Sequence, residues 1–158
     1  EVRKGSASTK YYRRSAGQFI YSKLDFLNGA FGIIPKRLDR YESTLDLPAF
    51  DFLDGIDPLW FYYHVSREDF YISNIGLANG GRKARRVNPK DFLNIQISMP
   101  TLEEQQQIAQ VLQIADQEVD ILRRQRSILQ SEKRALMQQL LTGKRRVKIE
   151  EEAEAAIA

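Results

Sequence analysis

The sequence predicts an α+β chain: a globular head with a curved mixed β-sheet and packed helices, followed by one long C-terminal α-helix able to form a coiled coil. Three observations lead there. Short β-branched and aromatic runs, punctuated by Asn, Gly and Pro, fill much of the first hundred residues. An aromatic-rich stretch with mixed helical spacing lies at 59–75. From residue 101 onward, apolar residues recur at a 3.5-residue period.

Taken in order, 18–22 (QFIYS) and 31–34 (FGII) read as strands, and Asn28-Gly29 between them signals a tight hairpin. Asn28 can serve there purely as a turn residue. Residues 44–52 alternate loosely with Pro48 inside, which predicts an edge or bulged strand. Asp57-Pro58 marks a helix start, because Pro is pre-organised for the first helical position and Asp can cap it. The helix that follows, through Trp60, Phe61, Tyr63, Val65, Phe70, Ile72 and Ile75, is expected to break near Ser66 and to pack on the sheet. Trp60 and its aromatic neighbours suit a core better than a ligand platform, and His64 among them suits packing or hydrogen bonding. Residues 84–87 predict a strand, 88–91 (NPKD) a turn, and 93–99 a final strand.

The long helix is expected over 101–143. Thr101 with Glu104 three residues on forms a capping box, and Gly143 closes the far end. Leu112, Val119, Arg126, Lys133 and Leu140 occupy one heptad position, and Ile108, Ala115, Leu122, Leu129 and Leu136 the other. Arg126 and Lys133 interrupt the stripe and restrict the registers that can dock there. Some forty helical residues span roughly 60 Å at ~1.5 Å each, more than a head of about 100 residues needs for packing. The head is thus expected over 1–100. The tail, 144–158, begins basic (Lys144, Arg145, Arg146, Lys148), turns acidic, and is expected to be disordered.

A hydrophobic content of 42% and a charged content of 28% are globular values. With no apolar run of ~18 residues and no leader-like start, a cytoplasmic chain is expected, without membrane association. Zero cysteines and a single histidine exclude disulfide staples and thiolate or His-cluster metal sites. Asp51, Asp54 and Asp57, spaced three apart, mark a loop rather than a cation site. No phosphate loop, dinucleotide fingerprint, nucleophile elbow or zinc-protease motif occurs, so neither a cofactor nor a catalytic residue is expected.

Charge is informative by its distribution. The head carries 15 Lys and Arg against 11 Asp and Glu, the remainder 9 against 10. Arg3, Lys4, Lys10, Arg13 and Arg14 are interleaved with Ser6, Ser8, Thr9, Tyr11 and Tyr12, while Arg82, Lys83, Arg85 and Arg86 follow Asn79-Gly80-Gly81. Long cations beside hydroxyls and aromatics suit phosphate contacts and base-edge hydrogen bonds, although a charge run is most often simply a solvated face. On the residues alone, an oligomerisation adaptor and an RNA-binding module stacking bases on Tyr11 and Tyr12 stay open beside DNA binding.

The run Phe92-Leu-Asn-Ile-Gln-Ile-Ser-Met-Pro-Thr-Leu-Glu-Glu-Gln-Gln-Gln-Ile-Ala109, followed by Ala135-Leu-Met-Gln-Gln-Leu-Leu-Thr-Gly-Lys144, resembles the end of a repeat unit in the specificity subunits of type I restriction-modification enzymes. Gly17-Gln-Phe-Ile-Tyr-Ser-Lys-Leu-Asp-Phe-Leu-Asn-Gly-Ala-Phe-Gly32 and Arg82-Lys-Ala-Arg-Arg-Val-Asn-Pro89 are similar to one branch of their target-recognition domains. The resemblance covers nearly all of 10–147. It implies a non-catalytic component in which two recognition domains, held apart by antiparallel helices, each read half of a split double-stranded DNA site. It also implies methyltransferase subunits docked around the helices and a restriction-translocase subunit joining through the complex.

With one head and one helix, this chain resembles half of such a subunit, or a fragment beginning inside a recognition domain. The seam then needs a second copy or the other half, paired antiparallel. The resemblance further implies that Arg3, Lys4, Lys10, Arg13, Arg14, Lys23, Arg82, Lys83, Arg85 and Arg86 contact phosphates, while a few of Tyr12, Arg13, Lys23, Asn28, Arg82 and Arg85 read base edges.

Overall fold

The computed structural model describes residues 9–79 and 86–147, with side chains omitted at 78 and 79. The α+β class holds. The chain divides into two units, 1–113 and 114–158, and each is described by itself.

In the first unit, β2 (Phe19–Tyr21) pairs antiparallel with β3 (Phe31–Ile33) on one side and β5 (Ala49–Phe50) on the other. Two further antiparallel pairs join β1 (Tyr12–Arg13) to β4 (Glu42–Ser43), and β6 (Ala78–Asn79) to β7 (Arg86–Val87). Every strand pair among the described residues is antiparallel, so the expected mixed sheet is corrected. The β2–β3 link is a short loop, and parallel pairing needs a crossover of a dozen residues or more. The Asn28-Gly29 hairpin is also longer than expected: Tyr21 pairs with Phe31, leaving 22–30 as the loop. Phe26–Asn28 forms a 3-10 turn there, closed by Gly29 at φ 68°. A Cβ at Gly29 would lie 3.1 Å from the Tyr71 ring, so both conformation and space require glycine.

Residues alternating along β2 turn Phe19 and Tyr21 to one face of the sheet, where they are buried. That face is capped by α1 (Pro58–Ser66), α2 (Glu68–Ser73) and α3 (Pro89–Leu93). Asp57 Oδ1 accepts from Trp60 N at 2.8 Å, the N-cap expected beside Pro58. The helix breaks at Arg67, whose extended backbone separates α1 from α2. Phe92 fills the centre of the face, with ring centroids 4.9 Å from Tyr21 and 5.6 Å from Phe19. Phe61 meets Phe19 edge-on at 5.1 Å. Trp60 is buried, as its aromatic setting suggests.

Two expected elements are corrected. The turn at 88–91 is the start of α3, with Asn88 as N-cap and Pro89 in the first turn. The expected strand at 93–99 has no ladder: Ile95 and Ile97 pack against the core from an irregular segment.

The last element, α4 (Leu102–Leu141), is a single 40-residue helix. Its first turns belong to the first unit. Thr101 Oγ1 accepts from Glu104 N at 3.3 Å, and Gly143, at φ 71°, ends the helix with its N–H on Leu140 O at 3.2 Å. No helix among the described residues is long and apolar enough to cross a membrane.

Candidate nucleic-acid interface

The basic segments flanking the head converge on one loop, residues 44–47. Arg14 reaches it first. Its Nε donates to Ser43 Oγ at 2.8 Å and its Nη2 to Leu47 O at 2.8 Å, while the guanidinium lies 5.4 Å from the Tyr12 ring centroid. Burial lowers the Arg14 pKa, with a smaller opposing influence from Tyr12. Lys23 holds the loop from the sheet, its backbone N–H donating to Asp46 O at 2.9 Å, and its carbonyl accepts from Val87 N at 3.1 Å. Through that bond β7 is brought alongside, and Arg86 Nε donates to Asp46 Oδ1 at 3.4 Å. Thr9 and Lys10 line a shallow cleft with Thr44, Leu45 and Asp46.

Asp46 and Arg86, some forty positions apart in sequence, thereby meet beside Lys23 and the cleft that Lys10 lines. Tyr11, Tyr12 and Arg13 are exposed, and along β1 successive side chains point to opposite faces. Arg13 stands opposite Glu42 in the β1–β4 register. Arg14 differs from its neighbours because its donors are directed into the protein, where they hold the loop. Asn28 lies apart from this cluster: its amide donates to Asp25 Oδ1 at 3.4 Å in the turn that abuts α2. Arg82, Lys83 and Arg85, like Arg3 and Lys4, lie outside the described residues; in the sequence, 80–85 is the link between β6 and β7.

Sequence reasoning missed Asp46 and Arg40. Arg40 N donates to Arg14 O at 2.8 Å, which sets this exposed cation beside β1, and Arg40 has a φ of 63°, uncommon for a residue with a side chain.

Seam residues Ile108 and Leu112, in the first unit, line an apolar cavity with Trp60, Tyr63, His64 and Ser66. Burial, followed by the Arg67 charge, lowers the His64 pKa. Gln105, one turn earlier, is 1% exposed. Its Oε1 accepts from Asp57 N at 2.9 Å, and its Nε2 donates to Pro100 O at 3.0 Å and Gly55 O at 3.2 Å, joining the helix start to the loop before α1. In the second unit Ala115, Val119, Leu122, Leu129, Leu136 and Leu140 are all exposed. Leu129, Leu136 and Leu140 line an apolar groove with Lys133, Met137 and Leu141. A second exposed row, Ile114, Ile121 and Ile128, was absent from the expected heptads.

Comparison with known proteins decides the family. Residues 53–130 match the family model described as the type I restriction modification DNA specificity domain. The chain carries a domain of the type I restriction-modification specificity family. It is 34% identical over 95 residues to a protein of Methanocaldococcus jannaschii provisionally named the type I restriction enzyme MjaX specificity subunit, covering 60% of this chain and 22% of that one. It is 30% identical over 87 residues to the type I restriction enzyme MjaVIII specificity subunit of the same organism, covering 55% of this chain and 20% of the relative. The chain therefore spans about a fifth of the length of the curated relatives it matches. The matched part of the specificity domain includes α1, α2, α3 and most of α4, whereas β1 to β5 and the loop 44–47 lie before it.

Proposed function

We propose that this chain is a DNA-reading component of a type I restriction-modification complex. Its head reads one half of a bipartite duplex site, and its helix sets spacing and docks methyltransferase subunits, through which the restriction-translocase subunit joins. The observation that carries the reading is the convergence of Lys10, Lys23 and Arg86 on the loop 44–47, in a chain whose residues 53–130 match the specificity domain. Phosphate contacts fall to Lys10 and Lys23, joined by Arg40, while Arg86 beside them is paired with Asp46. Tyr12 and Arg13, exposed on β1, are the base-edge candidates. Arg14 supports them by fixing the loop. Arg82, Lys83 and Arg85 stay candidates for DNA contact on the sequence alone.

The seam supports antiparallel pairing with a second such helix. In a parallel, in-register pair, Arg126 and Lys133 would each face the same cation of the partner. Reversing one helix exchanges the two heptad positions, so Arg126 and Lys133 each meet a residue of the apolar row; in one such register these are Leu122 and Ala115, whose small side chain leaves room for a lysine stem.

The test is binding of the full chain to duplex DNA across a salt series, alone and with the methyltransferase subunit, followed by footprinting. Salt-dependent duplex affinity, with a footprint covering one half-site per head, is the expected result. Indifference to duplex in both conditions overturns the reading, and preference for single-stranded RNA in competition replaces it with an RNA module.

A further inference from the structure

We infer that Asp46 is a specificity-determining residue that masks Arg86 at the centre of the basic face and penalises contact with DNA of the wrong sequence. The inference rests on the duplex-reading function proposed above. The loop does not depend on the Asp46 carboxylate for its shape. Asp46 is held by its main chain, whose carbonyl accepts from Lys23 N at 2.9 Å and whose N–H donates to Thr44 Oγ1 at 3.4 Å. Further along, Leu47 N donates to Thr44 O, and Arg14 and Ser43 both donate to Leu47 O. The carboxylate instead faces Arg86 at 3.4 Å, with the two side chains 46% and 44% exposed, and borders the cleft shared with Thr9 and Lys10.

A phosphate backbone laid on this face must either displace Asp46 from Arg86 or approach an anion. A pair so exposed is weak, so the mask is a modest toll rather than a block. A matching base edge removes the toll, because a freed carboxylate accepts from a cytosine amino group and a freed guanidinium donates to guanine. Phosphate alone offers the carboxylate no donor. Asp46 therefore weakens sequence-independent binding more than matched binding, which is discrimination through a repulsive element.

The experiment uses the full chain and a short random-sequence duplex as probe. Asp46→Asn is expected to bind that duplex about two- to fivefold more tightly. Its plot of log affinity against log salt should steepen by about one unit, as Arg86 takes up a phosphate. Asp46→Glu should restore wild-type behaviour, and Arg86→Ala in the Asp46→Asn background should abolish the gain. Thermal melting should be unchanged in Asp46→Asn, since the main-chain bonds remain, and Asp46→Ser provides the same reading if the amide variant fails to fold. Unchanged or weaker affinity with an unchanged salt slope overturns the mask while leaving DNA reading intact. Failure of the wild-type chain to show any salt-dependent duplex binding overturns DNA reading itself, and the mask with it.

Discussion

The head and the distal helix solve the problem of apolar surface in opposite ways. In the head, β2 supplies Phe19 and Tyr21, the loop after it Phe26, and α3 Phe92, and all four are buried together with Val65 and Val87. In the distal helix, Leu122 is 56% and Leu129 64% exposed, and the isoleucine row beside them is equally open. Burial of apolar area is the main favourable term in folding, so the head holds its own source of stability. Most stabilisation of an amphipathic helix comes from packing, and among the described residues of its unit this one packs on no other element. On the function proposed above, the difference assigns the roles: a part that is finished by folding and a part that is finished by association.

Two variants break that comparison at its ends. Phe92→Ala removes the ring that touches Phe19, Tyr21, Phe26 and Phe50, and should cost the head about 3–5 kcal/mol in urea unfolding, whatever the protein concentration. Leu122→Asp with Leu129→Asp should do the reverse. Light scattering should report loss of self-association, while the head's unfolding free energy stays within ~0.5 kcal/mol because both sites are exposed positions of the other unit. Unchanged association in the double variant would remove the seam from the account.

How much of this contrast the sequence reveals depends on the range of each interaction. Asp57-Pro58 and Thr101 with Glu104 were legible because a cap is a contact between residues three apart. The seam was legible because a heptad repeats, and β2 and β3 because FIY and FGI are short apolar runs beside a turn. The segment 93–99 misled because alternating Ile95 and Ile97 look the same whether they belong to a strand or to a tether laid against a core. Strand β4 escaped notice because Glu42-Ser43 has no apolar alternation. On the candidate surface, the two basic clusters were legible as composition, but their meeting point was not: Asp46 and Arg86 are joined by main-chain bonds through Lys23 that no local pattern encodes. Arg14 looked like every other cation in its run until its donors were traced to Ser43 and Leu47.

Gln105 is the sharpest case of the same limit, since it stands in a run of three glutamines and only one of them is buried. Gln105→Ala leaves the Asp57 N–H and the Gly55 carbonyl without their side-chain partner, and should cost about 1–3 kcal/mol. Proteolysis near the helix start should rise with it. The neighbouring Gln106→Ala, on an exposed position, should do neither.

The smallest expected effect distinguishes the two regions by pH. Burial, reinforced by the negative charge of Asp91, raises the Tyr21 pKa well above its ordinary value of 10.0, and the hydroxyl donates to Val87 O at 3.0 Å. The folded state therefore keeps the Tyr21 proton at alkaline pH where the unfolded chain releases it. The head's stability is complete below pH 10 and declines as pH rises above it, because the native state then binds more protons than the unfolded one. Tyr21→Phe should cost about 1 kcal/mol at neutral pH through the lost hydrogen bond, and should reduce the alkaline decline in urea midpoints. Self-association through the distal helix contains no tyrosine, so it should not share that part of the pH dependence. An alkaline decline equally steep in Tyr21→Phe would mean that the head's core is not what the proton reports on.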